Sequence, residues 1–143
     1  MQTGRPSTIQ GDKNPLNANH ARIFGEGEMA DRIRRFRWET TPLGAMSGWS
    51  ETLLCVVNMI LESQFPMLLL WGSEMVVLYN DACMPLEGEK HPDALGQTGQ
   101  NCWPEAWHIL APKLRSVLEQ GAKLYFENEL IPILRQGVLT DLY

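Results

Sequence analysis

Cysteine, histidine, basic charge and long apolar runs are all scarce in this sequence. The three cysteines, Cys55, Cys83 and Cys102, are odd in number, widely spaced and form no CxxC pair. That argues against a disulfide scaffold or a zinc ribbon and favours a reducing, cytoplasmic setting. His20, His91 and His108 are scattered, so no metal-ligand set is expected. Gly96 and Gly99 stand alone and make no nucleotide-binding loop. The apolar runs are well short of a bilayer span and are broken by Gly72 and Glu74. Residues 1–27 contain no apolar core of the secretory-leader kind. A net charge of −5 speaks against a duplex nucleic-acid binder.

What is present suits one domain with a modest core, since the chain has 143 residues and ordinary apolar content. Residues 1–27 are polar, without hydrophobic period, and read as a disordered leader. Residues 28–63 read as flanking helices. Glu28 to Trp38 places Ile33 and Phe36 one helical step apart and Glu28 four residues before Arg32. Arg32, Arg34, Arg35 and Arg37 read as a solvated face rather than a nucleic-acid or lipid site. After a Pro/Gly loop, Ser47 or Ser50 caps a helix running from Trp49 to Glu62. Trp49, Leu53, Val56, Val57, Ile60 and Leu61 recur along it at helical spacing. Leu54, Cys55 and Met59 widen that stripe. Either the helix buries a second side against another copy of the chain, with Leu54 and Met59 in the dimer face, or it makes one broad contact with its own domain.

Residues 64–143 carry the densest information. Met67–Trp71 and Met75–Tyr79 are apolar runs split by Gly72-Ser73, the pattern of a β-hairpin. Asn80 or Asp81 then caps a short helix, and His91-Pro92 begins another turn of helix, closed by Gly96. Pro104 fits a first helical position, Pro112 restarts the helix, and Gly121 ends it. Lys123–Leu134 reads as a strand, Arg135-Gln136-Gly137 as a turn, and Val138–Tyr143 as the antiparallel partner. The expected class is α+β.

Four segments also resemble a known family: Trp71-Gly72, Leu78-Tyr79-Asn80-Asp81-Ala82, Gly88-Glu89-Lys90-His91-Pro92-Asp93-Ala94-Leu95-Gly96, and Trp103-Pro104-Glu105-Ala106-Trp107. In order and spacing they are similar to the N-terminal PAS domain of bacterial sensor histidine kinases, including hybrid ones. The likeness extends upstream through Trp38-Glu39-Thr40-Thr41-Pro42-Leu43-Gly44 and Trp49. It implies a five-stranded antiparallel sheet ordered 2-1-5-4-3 with short helices on one face. The chain offers strands 1, 2, 3 and the start of 4, so the expectation is a truncated fragment or a reduced variant lacking the last strand. It also implies a homodimeric input module in a two-component signalling system, with kinase domains downstream in the parent protein.

No catalytic constellation emerges. The acid pair Glu127/Glu129 reads as a solvated strand face, and His91-Pro92-Asp93 fails the pattern of a phosphoacceptor histidine. Asn80, Asp81, His91, Pro92 and Gly96 read as loop-forming motif residues, with His91 supplying a loop hydrogen bond. Asn101-Cys102 falls where flavin-binding light sensors of the same superfamily carry a reactive cysteine. Here Trp103-Pro104-Glu105 follows, without the arginine that would hold the flavin phosphate. No cofactor is expected, whether flavin or haem; His108 reads as a helix-surface residue. Trp71, Tyr79, Cys83, Cys102, Trp103, Trp107 and Tyr125 either line a ligand pocket between sheet and helices or fill that space as core. The rivals to an input module are a cofactor-binding photosensor and a free-standing adaptor.

Overall fold

Acidic residues at its start and arginines at its end suit the dipole of α1 (Glu28–Arg35). Its inward side, Met29, Ala30 and Ile33, is fully buried. The chain then passes through two 3₁₀ turns, Trp38–Thr40 and Met46–Gly48. Trp38 is buried, donates its indole N–H to the Ile33 carbonyl at 2.7 Å, and meets the Trp49 ring edge-on at 4.9 Å. Ser50 supplies the cap of α2 (Glu51–Glu62), accepting from Leu53 N at 3.1 Å. The structure, a computed structural model, describes residues 22–127 and 129–142.

The hairpin forms as expected: β1 (Leu68–Trp71) pairs antiparallel with β2 (Val76–Tyr79), Leu68 facing Tyr79 and Trp71 facing Val76. Gly72 at φ 79° supplies the left-handed residue of the connecting turn. All four residues of β2 are buried. Its second edge is closed by a loop, through Val77 N to Gln97 O at 2.8 Å, Gly96 N to Val77 O at 2.9 Å and Gly99 N to Met75 O at 2.8 Å. β1 is more open, and no backbone partner lies on its outer edge among the described residues. Beyond the hairpin come α3 (Met84–Glu87), α4 (Gly99–Cys102) and α5 (Trp107–Gln120). A second ribbon, β3 (Ile131–Arg135) with β4 (Val138–Leu142), completes the described chain. One core joins Ile23, α1, Trp38, Trp49, α2, β2, Cys83, Leu95, Cys102, Trp103 and Ile133. The architecture is α+β, with two small antiparallel sheets among the described residues.

Several expectations need correction. The strands expected in one sheet form two separate ribbons, β1–β2 and β3–β4. The strand placed at Lys123–Leu134 is shorter, because 121–127, 129 and 130 have no regular structure. Instead Lys113 tethers that segment, with its ammonium 4.1 Å from the Phe126 ring centre and in contact with the Glu129 carboxylate. Glu127 accepts from the Tyr125 hydroxyl at 2.9 Å. Pro112 does not restart a helix but lies inside α5. Both Pro112 and His108 are exposed, so the carbonyl that loses its amide partner can face solvent. Residues 91–96 form turns rather than helix, with a cis His91–Pro92 peptide. The expected leader, 1–27, overlaps the fold: Ile23 is completely buried. Residues 1–21, with His20, lie outside the described residues.

Because β2 is enclosed and β1 is not, matched truncations should differ. Leu78→Ala should cost about 2–5 kcal/mol in urea unfolding, and Leu69→Ala clearly less. Equal losses would contradict the central place given to β2.

Candidate functional site

The end of β2 is where the chain's polar groups converge. Asn80 is in extended conformation and wholly buried. Its Oδ1 accepts from Met67 N at 3.0 Å and from Cys83 N at 3.1 Å. Its Nδ2 donates to the carbonyls of Ile60 (3.0 Å), Ser63 (3.2 Å) and Phe65 (2.8 Å). One side chain therefore satisfies the end of α2, the linker after it, the entry to β1 and the turn after β2.

Asp81 reaches the other way. Its Oδ1 accepts from Met29 N at 2.8 Å and its Oδ2 from Glu28 N at 3.1 Å, the first two amides of α1. Gly27, at the cap position, has no side chain to do this. It also sits at φ 117°, and a Cβ there would lie 2.5 Å from Asp81 Oδ2. Glycine is thus required by both backbone and space.

His91 adds a second tie. Glu28 Oε1 lies 2.9 Å from His91 Nε2 and 2.8 Å from Arg32 Nε. Hydrogen bonds from Arg32 and then His91 hold the Glu28 carboxyl below its ordinary range. An ionised Glu28 needs a donor, so Nε2 carries the hydrogen. In the neutral ring Nδ1 is then the acceptor, and the Tyr79 hydroxyl donates to it at 2.8 Å. Burial pushes the Tyr79 phenol well up, which keeps it protonated for that role. The chain Tyr79–His91–Glu28–Arg32 thus runs from the buried strand to α1.

A third cluster holds the β3–β4 ribbon. Glu105 Oε1 accepts from Lys90 at 3.0 Å and from Leu134 N at 3.0 Å; Glu89 accepts from Gln136 N at 2.6 Å. Arg135 donates to the Leu86 carbonyl at 2.6 Å. Burial opposes ionisation of Glu105, yet the Leu134 amide, its own backbone and Lys90 leave its carboxyl lowered. Glu87, nearby and buried, is raised by burial despite Lys90 and Arg135. Among the described residues its Oε2 has no hydrogen-bond partner.

The seven residues proposed for a ligand pocket do not share one. Tyr79, Cys83, Cys102 and Trp103 are buried in the core. Trp71 lines a surface groove with Pro42 and Leu43, and Trp107 another with Ser73 and Arg115. Tyr125 is 81% exposed and far too open for a pocket wall. The Leu54/Met59 pair is also divided, with Leu54 covered by its own chain and Met59 59% exposed. Asn80, Asp81 and His91 do come together, with Pro92 and Gly96 in the loop they anchor. Arg34 was missed: expected on a solvated face, it is buried and donates to the carbonyls of Ile23 (3.0 Å), Phe24 (3.2 Å) and Gly25 and to Asp31. Only the preceding Gly25-Glu26-Gly27, a segment that curls back on the helix, could have hinted at it. Nothing in the spacing of Glu87, Glu105 and Arg135 could have joined them.

An open cleft of about 710 Å³ lies beside the junction, between α1 and the 92–97 loop. Among the described residues no group of three or more histidine, cysteine or acidic side chains could hold a metal ion. No helix among them is long and apolar enough to cross a membrane. No protein-family model, curated protein or solved structure matches the chain.

Two outcomes follow from this geometry. Asn80→Asp should destabilise the protein about as much as Asn80→Ala, roughly 2–5 kcal/mol by urea unfolding, because a carboxylate cannot donate to the three carbonyls. A near-neutral Asn80→Asp would contradict the assigned role. Burial raises the Cys83 thiol to about 11 and the Cys102 thiol to about 12, so both stay protonated near neutrality. Iodoacetamide on the native protein should alkylate exposed Cys55 alone, as read by peptide mass. Prompt labelling of Cys102 would contradict this placement.

Proposed function

We propose that the chain is a PAS-type sensory or regulatory input module of a bacterial signalling protein, acting upstream of histidine-kinase domains. Its work is to bias a downstream output by changing how the N-terminal helix packs on the hairpin, in a homodimer. The module carries no chemistry of its own, no cofactor, and works in the cytoplasm. The observation that carries the reading is the Asp81 cap on α1, 52 residues away in sequence from Met29. Asn80, Asp81 and His91 belong to the segments that resemble the family, and they are the groups that tie the helix, hairpin and loop together. The polar tie sets the register of α1 while Met29, Ala30 and Ile33 stay packed, so a change of hydrogen-bond partner at Asp81 can shift the helix without undocking it. Self-association would use the exposed side of α2 around Met59 and Cys55, since Leu54 is already buried.

The test fuses the chain ahead of a heterologous dimeric histidine-kinase core. Autophosphorylation should change several-fold when Asp81→Ala is introduced, while circular dichroism shows the module still folded. Identical rates for the two folded chimeras would count against the input-module reading and favour an adaptor.

A further inference from the structure

We infer that the cleft between α1 and the 92–97 loop binds a small zwitterion with an apolar body, namely a free aliphatic or aromatic amino acid. The inference deepens the module reading and rests on it, since it names the signal that the junction receives. The cleft's charges are mostly spent. Glu28 is taken up by Arg32 at 2.8 Å and His91 at 2.9 Å, and Asp31 by Arg34 at 2.8 Å. Two charges are not. Arg35 on the helix wall and Asp93 on the loop wall both line the cleft. Among the described residues neither side chain has an ion-pair or hydrogen-bond partner. The unspent charges are opposite in sign and lie on opposite walls, so an anion alone or a cation alone satisfies only one of them. A carboxylate offers the guanidinium of Arg35 a bidentate partner, and an ammonium answers Asp93.

Apolar groups line the same cleft, beside Thr40, Thr41 and Gln97. The Phe36 ring lies so close to Gly96 that a Cβ there would come within 2.4 Å of it, and Leu95 and Pro92 continue the surface. The cleft volume, about 710 Å³, falls in the range of small-molecule sites. Its position gives the ligand a consequence. Glu28 and Arg32 line the same cleft, so the charges of a bound amino acid act on the Glu28–Arg32 pair. Glu28 is also the acceptor for His91, so that influence reaches the Tyr79 end of the chain.

The experiment titrates the ¹⁵N-labelled full chain with L-phenylalanine and L-leucine, each against its N-acetyl and carboxamide analogues. Saturable shifts are expected at the amides of Phe36, Gly96 and Gln97, with a Kd of about 1 mM or tighter. The singly charged analogues should bind at least about tenfold more weakly. Arg35→Ala and Asp93→Asn, both at exposed positions, should each weaken binding by a similar factor without moving the melting temperature. No saturable shift from either amino acid up to about 10 mM overturns the proposal, as does equal binding of the singly charged analogues. Either failure is separable from failure of the module reading, because the Asp81→Ala chimera responds without any ligand.

Discussion

The buried amide of Asn80 is the constraint on which the rest of the structure depends. A polar side chain with no exposure must have its donors and acceptors met, or the fold loses the full desolvation cost of each. Here they are met by three carbonyls and two amides from segments that share no secondary structure. Satisfying Asn80 therefore fixes where α2 ends, how the linker turns and where β1 begins. That positions the hairpin against α2, and the enclosed strand β2 then accepts the 96–99 loop along its second edge. The turns that lead into that loop bring His91 to Tyr79 and Glu28.

Asp81 extends this frame to the N-terminal helix by different physics. Its carboxylate meets two amides at the positive end of α1, so hydrogen bonding and the helix dipole act together. Arg34 secures the same helix from behind, by clamping the carbonyls of the preceding segment. The apolar contacts of Met29, Ala30 and Ile33 supply the bulk of the attachment, while the polar ties set its register. The β3–β4 ribbon is attached differently: Ile133 is buried in the core, and Glu89, Glu105 and Arg135 add polar ties. Much of its surface, including Val138 and Leu139, stays exposed.

Local signals were readable where local physics decides. The Gly-Ser break announced the hairpin, Gly121 at φ 65° marked the end of α5, and Ser50, one of two serines open to the role, caps α2. Asn80 was legible as a cap, but its three bonds to distant carbonyls were not, because they depend on how the 60–65 stretch meets the end of β2. Arg34 looked like its neighbours, since an arginine's burial is set by carbonyls that only folding brings near. Pro112 suggested a restart because the sequence cannot show that its missing bond falls on a solvent-facing side. The Lys123–Leu134 alternation suited a strand, yet Lys113 holds part of that segment out of any sheet. The aromatic set was open to a pocket reading and a core reading alike, because spacing says nothing of which face each ring meets. The cleft itself involves α1, the Thr40 turn and the 92–97 loop, and no sequence pattern joins these.

The central claim is that α1, the hairpin and the 91–99 loop are one cooperative unit held by the Asn80–Asp81 junction. Native-state hydrogen exchange tests it most directly, at the amides of Met29, Val77 and Gly96. In the wild-type protein the three should share one opening free energy and one denaturant dependence. In Asp81→Ala the Met29 amide should part from the other two and open at lower cost. A Met29 amide that already exchanges independently in the wild type would contradict the account.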